Sequence, residues 1–292
     1  MAFPLEDFDS DGFIPRSVEK INITDTHKNI NRNGTTTTTF GKRKITRIGI
    51  WNVRTMLEAS KFAQVVREFQ LYKLDILGLS EIRWANSGET KAASGEILIF
   101  SCKPSTENRS SGVGLLSTQA RKGLMEWTPV SDRMITARFK TFARNITIVQ
   151  VYAPTNNATS EEKKSFYAQL STTLDKIRKG DIKIVMGDLN AKVGSDNTNF
   201  EHVMERHGLG EMNENGELFA DLSNNHDLVI GGTIFPHKRI HKETWCSPDG
   251  VTINQIDHIA ICRKWRRSLL DVRSHRGADV NSDHHLVLKI HQ

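Results

Sequence analysis

The sequence predicts an α/β fold: a four-layered sandwich in which two mixed β-sheets pack face to face and helices cover the outside. Two observations predict it. From Ile45 onward, short apolar runs of strand length alternate with stretches of helical period, as buried strands and their covering helices do. Between Glu96 and Tyr152, four apolar runs follow one another through turn-rich connections with no helix between them, and a second copy of the alternating theme comes after.

Residues 1–44 show no sustained period. They carry an acidic patch (Glu6, Asp7, Asp9, Asp11) and the low-complexity run Gly34-Thr35-Thr36-Thr37-Thr38-Thr39, and are expected to be a disordered tail. The basic Lys42-Arg43-Lys44 marks a solvated domain edge or an import signal. The folded domain is expected over 45–292. Ile45–Val53 reads as a strand, and Phe62, Val65, Val66 and Phe69 then fall at i, i+3, i+4 and i+7, which gives a helix one apolar face. Leu74–Leu79 is a second buried strand, followed by Glu96–Ser101, Gly112–Ser117, Met134–Phe139 and Ile146–Tyr152 as an antiparallel stretch. Phe166, Leu170, Leu174 and Ile177 mark a helix, with Thr159 or Ser160 placed to cap it and Gly180 to end it. Then come a strand at Ile182–Met186, a helix around Gly216–Asn225, and short strands near Leu228–Ile230, Thr244–Cys246, Gln255–Ile261 and His285–Ile290.

The 292 residues suffice for a substantial core, and a net charge of +6 tilts the chain towards polyanionic partners. Cys102, Cys246 and Cys262 are widely spaced, with no pattern that suits tetrahedral zinc, and are expected to be free thiols in a reducing compartment. There is no secretory signal and no apolar run of membrane-spanning length, so a soluble, intracellular protein is expected.

Polar residues cluster where apolar strands end, the place from which a buried strand delivers side chains into a cleft. The clusters are Trp51-Asn52-Val53-Arg54, Ser80-Glu81-Ile82-Arg83, Val151-Tyr152-Ala153-Pro154-Thr155, Gly187-Asp188-Leu189-Asn190, and Gln255-Ile256-Asp257-His258 with Ser282-Asp283-His284. Taken singly, each has a plain reading as a turn former, cap or surface pair. Together they supply what phosphodiester hydrolysis needs: carboxylates for a hard cation, a group to orient water, and donors for phosphoryl oxygens. Mg2+ (or Mn2+) suits this oxygen-rich set, and Glu81 is the leading candidate to touch it.

The ordered set Trp-Asn, Glu, Tyr-Ala-Pro, Gly-Asp-Leu-Asn, Asp-His and Ser-Asp-His resembles the endonuclease/exonuclease/phosphatase superfamily, which includes DNase I, exonuclease III and the abasic-site endonucleases. The resemblance covers about residues 45–292 and implies the DNase I-like fold. More closely, Ile50-Trp51-Asn52-Val53-Arg54-Thr55-Met56, Gln150-Val151-Tyr152-Ala153-Pro154-Thr155, Asn190-Ala191-Lys192-Val193-Gly194, Thr244-Trp245-Cys246-Ser247-Pro248-Asp249-Gly250 and Asn254-Gln255-Ile256-Asp257 resemble the endonuclease domains of RTE-type LINE retrotransposons, a pattern that craniofacial development protein 2-like host proteins share.

That resemblance implies a DNA-nicking endonuclease that leaves a 3′-hydroxyl. Asn52 and Glu81 would hold the metal, with Asp283 near it. Asp188 would position or deprotonate the attacking water, Asn190 would orient the phosphate, and Tyr152 would donate to a phosphate oxygen or the departing oxygen. His284, paired with Asp257, would contact the scissile phosphate. Many abasic-site members carry a carboxylate where Arg54 stands, which argues against abasic-site repair, while the retrotransposon-like members also have Arg there. Thr244 matches a Thr/Ser that nicking retrotransposon enzymes place near the scissile region. The segments His237-Lys238-Arg239-Ile240-His241-Lys242, before the Thr244 strand, and Arg263-Lys264-Trp265-Arg266-Arg267 offer basic surface for DNA, with Lys238 and Arg239 as expected contacts. A DNA substrate implies nuclear residence, with the cytoplasm as the other intracellular option. No membrane or protein partner is expected, and the chain is expected to be a monomer.

The rival readings are a phosphatase of the same fold, acting on inositol lipids, or a sphingomyelinase-like enzyme, and a catalytically silent, transposon-derived binding module. Asn254-Gln255-Ile256-Asp257-His258 resembles the nucleases and lacks the Trp-Cys-Asp-Arg type sequence of the inositol phosphatases. A silent module would be expected to have lost Glu81, Asp188, Asp257 or His284, and all four are present. The chain stops soon after His284 with no reverse transcriptase following, as a fragment of a longer polyprotein also would.

Overall fold

The computed structural model describes residues 46–107, 110–117, 123–141 and 144–291. The expected tail over 1–44, with its basic cluster, lies outside the described residues. Among the described residues no helix is long and apolar enough to cross a membrane.

The chain runs β1 (Thr46–Asn52), α1 (Ala59–Leu71), β2 (Ile76–Ser80), β3 (Ser87–Lys91), β4 (Ile97–Ser101) and β5 (Val113–Ser117), then β6 (Leu124–Ser131), β7 (Met134–Phe139) and β8 (Ile146–Tyr152). It continues as α2 (Ser160–Asp175), β9 (Ile182–Asp188), α3 (Glu214–Asn225), β10 (Leu228–Ile230), β11 (Trp245–Cys246), β12 (Ile253–Asn254), β13 (Asp257–Cys262), β14 (Leu269–His275) and β15 (Leu286–His291). One sheet has the order β14-β15-β1-β2-β5-β4-β3 and the other β10-β13-β9-β8-β7-β6, while β11 and β12 form a separate hairpin. Both large sheets are mixed: β1 runs parallel to β2 across α1, and β8 parallel to β9 across α2. This is the expected four-layered, DNase I-like sandwich.

The layers follow from the period-2 alternation of the strands. Ile48 and Ile50 of β1 meet Ile148, Ile184 and Met186 of the other sheet in an inter-sheet core. Trp51, Leu77 and Leu79 point the other way and are covered by Val65, Val66 and Phe69 of α1. Val149, Val151 and Val185 likewise face outward under Phe166, Leu170 and Leu174 of α2 and Phe219 of α3. Each such fully buried side chain contributes roughly 1.5–3 kcal/mol. Helix α1 stops where Lys73 adopts a left-handed φ of 52°. Helix α2 starts with a complete capping box between Thr159 and Glu162, and Asn213 caps α3 through Gly216 N.

Four details depart from expectation. Helix α2 ends at Asp175, short of Gly180, and Ile177 closes a turn onto Leu174. The stretch from Glu96 to Tyr152 is antiparallel but divided, β4–β5 in the first sheet and β7–β8 in the second. The strand expected at Gln255–Ile261 begins only at Asp257, as β13, with Gln255 and Ile256 outside any strand. Strands β3, β6 and β14 carried no sequence signal. Each is the outermost strand of its sheet, with one neighbour and a half-exposed face, so neither an apolar run nor a clean alternation is required of it. Pro129 sits in β6, where an edge strand tolerates its missing N–H.

Candidate active site

Register brings the polar clusters to one end of the sandwich. Asn52 lies opposite Ser80 at the ends of β1 and β2, Tyr152 opposite Asp188 at the ends of β8 and β9, and Asp257 opens β13 across from Asp188. Gly187, with φ of 143°, lets β9 approach β8 there, since a Cβ would lie 2.0 Å from the Val151 carbonyl oxygen.

Hydrogen bonds tie the two sheets together at this end. The Asn52 amide nitrogen donates to Glu81 Oε1 and Asp188 Oδ2, both at 2.9 Å. The Tyr152 hydroxyl donates to the same Glu81 oxygen at 3.0 Å, and Arg83 Nη2 meets Glu81 Oε2 at 2.5 Å. Asp188 Oδ1 accepts from Asn190 N at 3.0 Å, and Asn190 Nδ2 donates to the Ala153 carbonyl at 3.1 Å. His284 Nδ1 lies 2.9 Å from Asp257 Oδ2 and its Nε2 3.8 Å from Asp188 Oδ2. The His284 backbone is fixed in turn, its carbonyl by Trp51 Nε1 and its N–H by Ser282 Oγ, which itself donates to the Asn52 carbonyl.

Burial sets the electrostatics. Burial first, then the Asp257 charge, pushes Asp188 above the usual carboxylate range, against the pull of His284, Asn52 and the Asn190 N–H. Burial disfavours charge on His284, yet the charge and hydrogen bond of Asp257, with Asp188 and Asp283 adding, carry it above the ordinary histidine value. The imidazolium is therefore the form facing Asp188. Burial, followed by the charges of Glu81 and Asp188, raises the Tyr152 phenol, which stays a proton donor at neutral pH.

The expected residues divide into three groups. Asn52, Glu81, Tyr152, Asp188, Asn190, Asp257 and His284 are brought together as described. Asp283 stands at the rim, its Oδ2 held by Trp245 Nε1 at 3.1 Å and its Oδ1 3.6 Å from Arg54 Nε. Thr244, Lys238 and Arg239 are placed differently. Thr244 is 2 % exposed, and its hydroxyl oxygen accepts from the backbone N–H groups of Ile256 and Asp257, so it braces Asp257 and presents no surface to DNA. Lys238 and Arg239 are exposed, Arg239 pairs with Glu243 at 3.2 Å, and no hydrogen bond joins either to the central cluster. The Arg263–Arg267 segment follows the far end of β13, away from this cluster, because six residues of strand separate it from Asp257.

Sequence reasoning missed four supporting groups. Arg133 stacks over the Tyr152 ring at 4.9 Å and donates to the carbonyls of Tyr152 and Ala153. Arg83 neutralises Glu81, Trp245 holds Asp283, and Gln150 braces the strand ends from within the core. Arg83, Gln150 and Trp245 stand within the quoted motifs but were given no role there, and Arg133 had no local signal.

A divalent cation fits this donor set. The oxygens of Asp283 (Oδ1) and Asp257 (Oδ1) are buried without a hydrogen-bond partner, and no cysteine joins the candidate ligand group found among the described residues. Glu81 and Asp283 are the carboxylates placed to hold it: the Glu81 oxygens accept from Asn52, Tyr152 and Arg83, and Asp283 Oδ1 accepts no hydrogen bond. Asn52 lies beside them, its side-chain oxygen accepting from Arg54 N at 2.9 Å and its nitrogen facing the carboxylates. Asp188, Asp257 and His284 form a second candidate group, the one among the described residues whose donor atoms all lie within 4.8 Å of one another.

The sandwich and its carboxylate–histidine cluster define a phosphoryl-transfer class of hydrolase fold, and the chain belongs to the endonuclease/exonuclease/phosphatase family, whose model matches residues 49–284. Members of that family are hydrolytic nucleases and phosphatases, generally dependent on divalent metal. The chain is 36% identical over 243 residues to craniofacial development protein 2 of Bos taurus, and equally to that of Tragulus javanicus. The matched region is 82% of this chain, and spans about two fifths of the length of those relatives (40% and 41%). Among solved structures, it is similar to the endonuclease domain of TRAS1, a telomere-specific non-LTR retrotransposon (15% identity, TM-score 0.60, 85% of this chain and 99% of that one). It is also similar to the 3′ phosphatase NExo from Neisseria bound to product DNA hairpin (19%, 0.64, 85% and 99%) and to the AP endonuclease LMAP from Leishmania major (14%, 0.63, 85% and 88%). At these identities the likeness is one of fold.

Proposed function

We propose that this chain is a Mg2+-dependent endodeoxyribonuclease of the retrotransposon type, which nicks DNA and leaves a 3′-hydroxyl. The observation that carries the reading is the buried Asp257–His284–Asp188 arrangement joined through Asn52 to Glu81.

The bond that breaks joins phosphorus to the 3′ oxygen, and water supplies the new P–O bond. Asp188, held at both oxygens by Asn52 and Asn190, aims the water and accepts its proton. His284, kept charged by Asp257, donates to a non-bridging phosphoryl oxygen, where negative charge accumulates. Tyr152 donates to a phosphate oxygen or the departing oxygen, its ring held by Arg133. A divalent cation bound at Glu81 and Asp283 would neutralise charge on the non-bridging or leaving oxygen. The retrotransposon-type reading is supported by the motifs around Asn52, Tyr152, Asn190, Thr244 and Asp257, and by the Arg at position 54. A DNA substrate would favour the nucleus as the site of this work, with the cytoplasm as the other intracellular option.

The test is incubation of the purified protein with supercoiled plasmid and Mg2+, alongside EDTA and the Glu81→Ala and Asp188→Asn variants. Relaxed circles should form only with metal, and each variant should cut about a hundred- to a thousandfold more slowly. Equal cutting by the variants, or none with any divalent metal, would overturn the proposal.

A further inference from the structure

We propose that the end of the sandwich opposite the candidate catalytic cluster is a nucleic-acid-binding surface, which grips backbone phosphates. The proposal does not rest on the catalytic reading. Four neighbouring strands of the second sheet converge there: β7 ends at Phe139, β8 and β9 begin at Ile146 and Ile182, and β13 ends at Cys262. Six residues of β8 or β9, at about 3.3 Å each, put this rim roughly 20 Å from Tyr152 and Asp188. No side chain here reaches the phosphate at the catalytic end.

A cavity of about 470 Å3 opens at this rim, lined by Arg138, Arg144, Arg178, Thr141 and Asn145 around Asp181. Arg138 forms a buried floor, with Nε 2.6 Å and Nη2 3.1 Å from the two Asp181 oxygens, and Thr147 Oγ1 donates to that carboxylate as well. The one carboxylate in the lining is thereby neutralised. Arg178 is exposed and lies 3.7 Å from Glu126, whose same oxygen is 3.6 Å from Arg138 Nη1. Arg144 is exposed, donates to the Gly180 carbonyl at 3.5 Å, and lies 5.9 Å over the ring of Trp265. Trp265 belongs to the 3-10 turn Arg263–Ser268, in which Arg263 pairs with Asp227 at 2.7 Å and Arg266 with Glu205. Lys264 and Arg267 of that turn, with Lys140 and Lys179 beside the cavity, are exposed and have no carboxylate partner among the described residues.

Carboxylates at this rim are thus consumed in pairs while further cations face solvent. Their spread over four strand ends suits a repeating polyanion better than a single phosphorylated metabolite. Guanidinium forks match phosphate oxygens, and cations spread along a rim match the closely spaced charges of a nucleic-acid backbone, while Trp265, half-buried against the core, lies beneath Arg144. These features favour nucleic acid over an acidic protein.

The test is fluorescence anisotropy of a labelled single-stranded DNA of about 30 nucleotides, in EDTA, across a series of NaCl concentrations. The Arg144→Glu/Arg178→Glu variant and, independently of the cavity, the Lys264→Glu/Arg267→Glu variant should each bind about tenfold or more weakly. Each should also flatten the log–log salt slope by about 1.4, the value for two lost single-strand phosphate contacts. Affinity and slope unchanged in both variants would overturn the proposal. So would displacement of the strand by poly-glutamate at equal charge concentration, which would assign the rim to acidic proteins. Because no cutting occurs in EDTA, the outcome is independent of whether the catalytic end nicks DNA.

Discussion

The guanidinium of Arg54 and the carboxylate of Asp283 face each other at the rim of the active centre, Nε 3.6 Å from Oδ1. A resident cation thereby competes for one of the carboxylates open to metal. Arg54→Gln, which keeps the chain length and removes the charge, should lower the Mg2+ concentration for half-maximal nicking about two- to fivefold, the ~0.5–1 kcal/mol of a half-exposed pair. A Mg2+ titration of plasmid nicking checks this, and an unchanged or higher requirement would show that Arg54 does not oppose the metal.

Thr244 should act on Asp257 and not on DNA. Thr244→Val leaves two backbone N–H groups unpaired and should cost about 1–3 kcal/mol of stability, together with much of the nicking rate, while Thr244→Ser should keep both. Denaturant melts read the first effect and DNA binding in EDTA the alternative. A direct DNA contact would weaken binding in the Val variant with no loss of stability.

Lys289 is fully buried on β15, its Nζ has no hydrogen-bond partner, and burial lowers its pKa from 10.5 to about 7. Between about pH 7 and 10.5 the unfolded chain binds more protons at this residue than the folded one, so its contribution makes stability rise with pH across that window. The penalty is fully present below about pH 7. Lys289→Met should stabilise the protein at pH 7 by on the order of 1–4 kcal/mol and remove that part of the rise, as denaturant melts at pH 7 and 9.5 would show.

Gly78 and Gln150 set the spacing of the two sheets beneath the site. A Cβ on Gly78 would lie 1.9 Å from Gln150 Oε1, while Gln150 Nε2 donates to the Leu79 carbonyl and to Ser80 Oγ, each at 3.2 Å. Gly78→Ala should therefore destabilise the fold by about 1–3 kcal/mol through overpacking. A double-mutant cycle with Gln150→Ala should recover part of that loss, and strict additivity would place the clash elsewhere.

Legibility in the sequence tracked burial. Central strands such as β1, β2, β8 and β9 are buried on both faces and must be apolar throughout, which made them visible. The edge strands β3, β6 and β14 meet one neighbour and could be written in polar residues. In the same way, Glu81, Asp188, Asp257 and His284 stood out because each sits beside one end of a conspicuous strand, the first two at its close and the last two at its opening. Arg133 and Trp245 have no such marker, since they act on Tyr152 and Asp283 only across the fold.

The sequence by itself determined the layers, the strand ends and the residue types at the centre, because the period of apolar residues dictates which faces are buried and where a buried run must stop. Only the tertiary structure decided which side chains work together. It turned the Asn52 amide towards two carboxylates, buried Thr244 behind Asp257, and sent the Arg263–Arg267 segment to the opposite end of the sheet. The reason is strand direction. The length of β13 separates the Arg263–Arg267 segment from Asp257, and nothing in the local pattern around that segment records which end of a sheet it occupies.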